Sequence, residues 1–449
     1  MKISLIFAAW LMVAAWAPTA FAEEPAPLQI ETLFGTESPS FWETPGDQLP
    51  MRFPPRAFRW TSETRETARA YKPSFQFFGK PIAEALLSFN NGKARSFSLV
   101  LYSRGDMGEM DFAQFKADVQ KTIALLGEWA NGSRPIEVPI EKLAREMRRS
   151  ALLWVKEPHV VTLEWSYSEM KGRPNLAEYL KVRFAPYNAS EDPRSLLVRA
   201  RAQNKTEKPM TTGGLRANIA REPNGDVVIG NVPMVDQGPK GYCAVATTER
   251  VLKYYGQDVD QHVLAQIAQS SATGGTSSSA LLDSIRKAGA KLDCHVREDF
   301  TLDYKALKDL AEDYDKLAKK HKKSRCAWMP PVIDIRLLFR SMDVELRKEL
   351  AQKGSQLDRF EKNIATCIDS GMPMHWSVEL GLVPENPELP QAEGGHIRLI
   401  IGYNAKTQEI IYTDSWGAGH ELKHMLLADA YIITTGIFHL RPRRLLVGN

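Results

Sequence analysis

The sequence is poor in cysteine and has no excess of charge that would indicate a polyanionic partner. Its 449 residues include four cysteines, and 58 basic against 54 acidic side chains give a net charge of +4. Four cysteines are too few for a fold built on disulfides, and their spacing matches no paired zinc-ligand motif. We therefore expect no metal, no organic cofactor and no nucleic acid partner.

Long apolar runs are missing beyond the first 22 residues. One lysine, Lys2, precedes an apolar run from Leu5 to Ala20, which ends in the small-x-small sequence Ala20-Phe21-Ala22. The run is shorter than the ~20 residues that span a membrane, and its ending is typical of signal-peptide cleavage. We predict a signal peptide over residues 1–22 and an exported protein, periplasmic or extracellular, without a transmembrane segment.

Residues 23–190 are predicted to form a small N-terminal α+β domain, with two antiparallel strand pairs around one helix. Asn91-Gly92 favours a type I′ hairpin turn, and an apolar stripe at spacings of three and four predicts an amphipathic helix that begins near Asp111. No cluster of nucleophiles, bases or metal ligands is visible here, so an inhibitory, a recruiting and an attachment role all stay open. The strand-like runs are Ile82–Phe89, Phe97–Tyr102, Leu152–Val155, Val160–Tyr167 and Tyr179–Phe184.

A polar segment over residues 191–225, with the pair Gly213-Gly214, has the composition of a linker.

The remaining residues, 226–449, contain the candidate catalytic residues. Gly238, Pro239 and Gly241 break regular structure just before Cys243, and an apolar helical face follows until Gly256. A cysteine at a helix N-terminus is stabilised as the thiolate by the helix dipole and the free backbone N–H groups, and the thiolate is the nucleophile.

From this point the sequence resembles the papain clan. Gln237 lies six residues before Cys243, where that clan has a glutamine that completes the oxyanion hole. The segment from Gly394 to Tyr403 is similar to the clan's histidine strand, and Asp414-Ser415-Trp416-Gly417 is similar to its final Asn/Asp-Ser-Trp-Gly element. The resemblance implies a nucleophile Cys243, a base His396, an orienting Asp414 on a neighbouring strand, and Trp416 as a shield for the His–Asp hydrogen bond. It also implies an α+β peptidase fold in which the Cys helix packs on an antiparallel sheet bearing His and Asp.

Within the clan the sequence looks most similar to stand-alone relatives of the bacteriocin-processing, double-glycine leader peptidases. Tyr254-Tyr255-Gly256, a Gly275-Thr276 loop before a second helix, and the aspartate at 414 carry this resemblance. Two departures are Ala244-Val245, where many members have Gly-Pro, and a helical insertion at about 300–363. The resemblance implies a peptide or protein substrate, but leader-peptide specificity is not carried over.

Several alternatives stay open at this level. His375 lies in a strand-like run and is a second candidate base, although only His396 has an aspartate at hairpin spacing. His420 and His424 have the spacing of helical metal ligands without a helix signal. A transglutaminase-like or amidase activity, or a non-catalytic protein that binds peptides or cell wall, are the rival functions. One disulfide among Cys294, Cys326 and Cys367 is compatible with export, and the oligomeric state is not determined by the sequence.

Overall fold

The computed structural model describes residues 26–35, 40–140, 142–188, 211–239, 241–257, 259–270, 278–385 and 389–445. The predicted signal peptide lies outside these residues, as does the part of the predicted linker from 191 to 210. Among the described residues, no helix has the length and apolar character needed to cross a bilayer.

The N-terminal part is built on one eight-stranded antiparallel sheet with the order β1-β2-β5-β6-β10-β9-β8-β7. A long helix, α2, packs on the sheet through Phe115, Val119 and Leu126. The strands β3 and β4 form a separate two-stranded ribbon. The strands are β1 Arg59–Trp60, β2 Thr67–Tyr71, β3 Gln76–Phe77, β4 Lys80–Pro81, β5 Glu84–Asn90, β6 Lys93–Ser103, β7 Ile136–Glu137, β8 Met147–Lys156, β9 His159–Ser168 and β10 Leu176–Pro186. The helices are the 3-10 turns Ile30–Phe34 and Leu49–Arg52, then α1 Arg104–Met107 and α2 Phe112–Trp129.

The five predicted strand runs all overlap strands of this sheet, the first from Glu84 onward, and the predicted helix begins where expected. Asp111 caps α2 by accepting a hydrogen bond from the Gln114 backbone N–H at 3.0 Å. Asn91 and Gly92 both have positive φ, as a type I′ turn requires. The strands form one sheet rather than two pairs, because β10 pairs with β6 on one side and with β9 on the other.

The C-terminal part is a second antiparallel sheet with the order β11-β12-β15-β14-β18-β13, extended by β16 and β17 beyond β15. Every residue of β14 is buried, because helices cover both faces of the sheet at this strand. The strands are β11 Ile219–Arg221, β12 Asp226–Ile229, β13 Cys294–Thr301, β14 Met374–Leu380, β15 Gly394–Asn404, β16 Glu409–Thr413, β17 Lys423–Leu426 and β18 Thr434–Pro442. The helices are α3 Thr212–Ala217, α4 Cys243–Tyr254, α5 Gln261–Ile267, α6 Ser278–Ala288, α7 Tyr304–Lys320, α8 Ile335–Arg340, α9 Val344–Gln352, α10 Gln356–Ile368 and α11 Leu427–Ile433.

Two segments differ in detail from the sequence-based division of the chain. Residues 212–221, placed in the predicted linker, form α3 and the edge strand β11, because β11 pairs with β12. The predicted insertion is helical, and its helices α7, α8 and α9 enclose a small apolar core of their own. Arg336 and Arg340 of α8 form ion pairs with Glu393, directly before β15, which ties the insertion to that strand.

The two parts of the chain share a buried interface behind the start of α4. Tyr179 of β10 belongs to the same apolar cluster as Tyr242 and Val245. The hydroxyls of Ser103 and Tyr242 are 3.1 Å apart, and Ser166 donates a hydrogen bond of 2.7 Å to the Gln266 side chain. The residue that precedes Cys243 is therefore held by the N-terminal sheet.

A pair of glycine substitutions tests this interface. A Cβ on Gly105 would lie 2.7 Å from two ring carbons of Tyr242, whereas a Cβ on Gly127 in α2 would meet nothing within 4 Å. We expect Gly105→Ala to lower the free energy of unfolding by about 1–3 kcal/mol through overpacking. The control Gly127→Ala should raise it by about 0.5–1 kcal/mol, because alanine favours the helix. Denaturant unfolding measures both, and equal effects would contradict a tight contact at Tyr242.

Candidate active site

Cys243 is the first residue of α4, as the sequence predicts. Tyr242 precedes the helix without a side-chain cap, and the first turn carries no acidic residue. Tyr242 and Ala244 are buried, whereas Cys243 is partly exposed. The helix thus presents one accessible thiol at its positive end, where free backbone N–H groups and the dipole favour a thiolate.

His396 lies on β15, and Asp414 directly follows the neighbouring strand β16. The two strands pair antiparallel, as the separation of 18 residues predicts, and His396 Nε2 lies 2.9 Å from Asp414 Oδ1. Both side chains are fully buried. The Thr247 hydroxyl donates a hydrogen bond of 3.2 Å to the Ile397 carbonyl, which fixes α4 against the histidine strand.

The Cys243 thiol and the His396 imidazole interact as an ionisable pair. Burial on its own would raise the pKa of the Cys243 thiol, but a hydrogen bond with His396 and the charge of that residue lower it below its usual value. Burial opposes the charged form of His396 as well, yet Asp414 and Cys243 together raise its pKa. His396 Nδ1 has no other hydrogen-bond partner in the described part of the chain, so this atom is placed for proton exchange with the thiol.

Gln237 is buried beside the same strand end and is held in one orientation by Ser415. The Gln237 backbone N–H donates to the Ser415 carbonyl at 2.8 Å, and the Ser415 hydroxyl donates to Gln237 Oε1, also at 2.8 Å. Because its oxygen accepts this bond, the Gln237 carboxamide is held in one orientation. An amide fixed in this way is suited to an oxyanion hole.

Trp416 covers the histidine. Its ring stacks on the His396 imidazole with centroids 4.1 Å apart and an angle of 8° between the planes, and His420 makes a T-shaped contact with the same indole. An indole in this position excludes water from the His–Asp hydrogen bond, which strengthens that bond.

Sequence reasoning missed three charged residues near Asp414. Arg398 Nε lies 3.0 Å from Asp414 Oδ1, Lys423 Nζ lies 2.5 Å from Oδ2, and Arg250 donates a hydrogen bond of 2.8 Å to the Asp414 carbonyl. Arg398 was detectable in principle, because it lies two residues after His396 and therefore on the same face of the strand. Lys423 follows a turn of unpredictable geometry and left no signal in the sequence.

His375 and His424 have partners outside this group. His375 is fully buried against Phe438, its Nε2 lies 3.2 Å from the Thr248 hydroxyl, and burial lowers its pKa to about 3. His424 lies near Glu409 and Asp226. The described residues contain no cluster of three or more potential metal ligands, and Cys243, Cys294, Cys326 and Cys367 are all free thiols.

Comparison with known proteins gives one family match. Residues 343–435 match the model of the Peptidase_C39 like family, a segment that contains His396 and Asp414 but not Cys243, and that begins inside the predicted insertion. No protein of curated function matches the chain. The crystal structure of xylellain, a cysteine protease from Xylella fastidiosa, aligns at 14% identity over 54% of this chain and 92% of that one, with a TM-score of 0.22. The family match, on an α+β fold with a Cys helix packed against a sheet bearing His and Asp, supports a papain-like cysteine peptidase at a general level.

Proposed function

We propose that the protein is an exported papain-like cysteine peptidase that hydrolyses peptide bonds through a thioester on Cys243. The observation that carries this proposal is the placement of the Cys243 thiol at a helix N-terminus beside His396, whose other ring nitrogen is bonded to Asp414. Export rests on the composition of residues 1–22 alone. The bacteriocin-processing relatives remain a resemblance, and no substrate specificity is proposed from them.

The proposed reaction has two halves, formation of the thioester and its hydrolysis, and both use Cys243, His396 and Gln237. The Cys243 thiolate attacks the carbonyl carbon, and the Gln237 side-chain amide and backbone N–H groups at the start of α4 stabilise the oxyanion. The His396 imidazolium protonates the leaving amine from Nδ1, which releases the first product and leaves the thioester. The neutral imidazole then takes a proton from water as the water attacks the thioester, and collapse of the second oxyanion breaks the C–S bond, releases the carboxylic acid product and restores the Cys243 thiolate beside the His396 imidazolium.

An amidase or transglutaminase-like reaction is the rival within acyl transfer. The Ser415–Gln237 pair at the oxyanion side favours the papain-like mechanism, because it fixes a side-chain amide as oxyanion donor. A protein that binds peptides without cleaving them is the rival of another class. The lowered pKa of the Cys243 thiol favours a catalytic protein over a protein that only binds peptides, because peptide binding does not require a thiolate.

The N-terminal part is proposed to be a fixed support of this site rather than a removable inhibitor. Tyr242 is anchored to Ser103, and Lys181 of β10 forms an ion pair with Asp260 at the start of α5. Separation of the two parts would expose this apolar and charged interface. An inhibitory segment, by contrast, would predict that residues 228–449 alone are more active than the longer chain.

Thiol alkylation across pH tests the activated cysteine. Cys243 should react with iodoacetamide at a lower pH than an ordinary thiol, because its pKa is lowered by His396, whereas burial raises the pKa of Cys294 to about 12 and that of Cys326 to about 11. His396→Ala should shift the reactive range of Cys243 upward, towards the ordinary thiol pKa of about 8.5. Peptide mapping by mass spectrometry identifies the labelled site.

His375→Ala is the control for this experiment, because His375 is a buried histidine of the same sheet that lies outside the Cys–His–Asp group. Folded His375→Ala should leave the alkylation profile of Cys243 in place. If Cys243 reacts no faster than an ordinary thiol in the unmodified protein, the catalytic proposal is wrong.

Substitutions on the oxyanion side separate catalysis from thiol activation. With a peptide substrate found by library screening, Gln237→Ala should lower kcat by about 10²-fold, because one oxyanion donor is lost. Ser415→Ala should lower kcat in the same direction but by less, since the amide remains and only its orientation is freed. The alkylation rate of Cys243 should stay unchanged in both variants, because alkylation forms no oxyanion. Equal losses in kcat and in alkylation would assign Gln237 to packing instead.

A further inference from the structure

The Asp414 carboxylate has two cationic partners in addition to His396. Arg398 Nε is 3.0 Å from the oxygen that also faces His396, and Lys423 Nζ is 2.5 Å from the other oxygen. The side chains of Asp414 and Arg398 are 0% exposed, and that of Lys423 is 1% exposed. Each carboxylate oxygen therefore lies against a buried cation. Burying two cations costs desolvation free energy, and the orientation of one imidazole does not require them.

The buried charges nearly balance before His396 is counted. Arg398 Nη2 also lies 3.0 Å from Glu385 Oε2, and the Glu385 carboxylate accepts a hydrogen bond of 2.6 Å from the Tyr412 hydroxyl. The formal charges of these two carboxylates and two cations cancel, and Arg250 adds a third cation at the Asp414 carbonyl. Arg398 and Lys423 further lie over the rings of Tyr412 and Trp416, which hold their charged ends in place.

We propose that Lys423 and Arg398 are positioning residues that fix the Asp414 carboxylate and cancel its charge, so that Asp414 orients His396 without holding it in the protonated form. This inference rests on the proposed function for its catalytic meaning. It adds two residues to the site: Arg398 of β15, which lies two residues after His396 on the same face of the strand, and Lys423 of β17, which no motif of the sequence indicated.

The physical reason lies in the second half of the proposed reaction. A bare buried carboxylate stabilises imidazolium strongly, but water is activated only by the neutral imidazole. The Cys243 thiolate is consumed in the thioester, so Asp414 is then the anion in contact with His396. Cations on both carboxylate oxygens weaken its hold on the proton, and they keep the carboxylate ionised, since burial would raise the pKa of Asp414 while Arg398, His396 and Lys423 lower it.

The remaining charged groups around this cluster do not replace Lys423. Arg250 bonds to the Asp414 and Pro233 carbonyls and to the Thr413 hydroxyl, and burial lowers its pKa to about 10. Burial likewise lowers the pKa of Lys423, and the Asp414 carboxylate opposes that shift. The groups that face Asp414, His396 or Lys423 are Cys243, Arg250, Glu385, Arg398, Tyr412 and His420, and Glu421 lies near Arg250 and His420.

The test measures the titration of His396 in a Cys243→Ala background, where no thiolate is coupled to it and no catalysis is needed. Long-range 1H–15N spectra of histidine-labelled protein report the imidazole, and loss of the signal in His396→Gln assigns it. Adding Lys423→Met should raise the pKa of His396 by about one unit, because a nearby buried cation is removed. Lys423→Arg should restore the parent value, and Lys316→Met, at an exposed lysine, should leave it unchanged. An unchanged or lowered pKa in Lys423→Met overturns the proposal.

A stability cycle keeps the proposal testable if Lys423→Met alone does not fold. Asp414→Asn leaves Lys423 without its counter-charge, so this variant should be the least stable of the set. The double variant Asp414→Asn with Lys423→Met removes both charges and should melt at a higher temperature than Asp414→Asn. No recovery in the double variant would show that Lys423 does not compensate Asp414. Both measurements stand apart from peptidase activity, so their failure is distinguishable from failure of the proposed function.

Discussion

The C-terminal half of this molecule depends on keeping one carboxylate ionised in a fully buried position. Moving an isolated carboxylate out of water costs several kcal/mol even after relaxation, unless charges and hydrogen bonds replace the lost solvent. Asp414 meets that requirement with His396, Arg398 and Lys423, contributed by β15 and β17 on either side of β16. The pairing of these three strands is therefore a condition for the site as well as for the sheet.

The position of the proposed nucleophile depends on a second contact, between the two halves of the chain. Cys243 remains partly exposed while the residues beside it are buried, and Tyr242 is held from behind by Ser103 and the tight approach of Gly105. Thr247, one turn further along α4, is bonded to the histidine strand. The start of the helix is thus fixed from both sides, which restricts the distance between thiol and imidazole.

Local patterns in the sequence predicted much of the secondary structure. The period of α2, the Asn-Gly turn and the break before α4 each follow from side-chain spacing or backbone preference, which neighbouring residues decide. The joining of the N-terminal strands into one sheet was not predictable in this way, because β10 pairs with strands from both earlier and later in the chain. The edge strand β11 was missed for the same reason, since only its pairing with β12 distinguishes it from a polar linker.

What the sequence by itself determined is the set of candidate catalytic groups: a cysteine at a helix start, a glutamine six residues before it, and a histidine and an aspartate at hairpin spacing. Those signals are local, and each follows from the chemistry of a short segment. Only the tertiary structure decided what surrounds Asp414, because Arg250, Arg398 and Lys423 come from a helix and two strands that meet around it. The charge balance of a buried site is a property of three-dimensional packing, and no spacing along the chain encodes it.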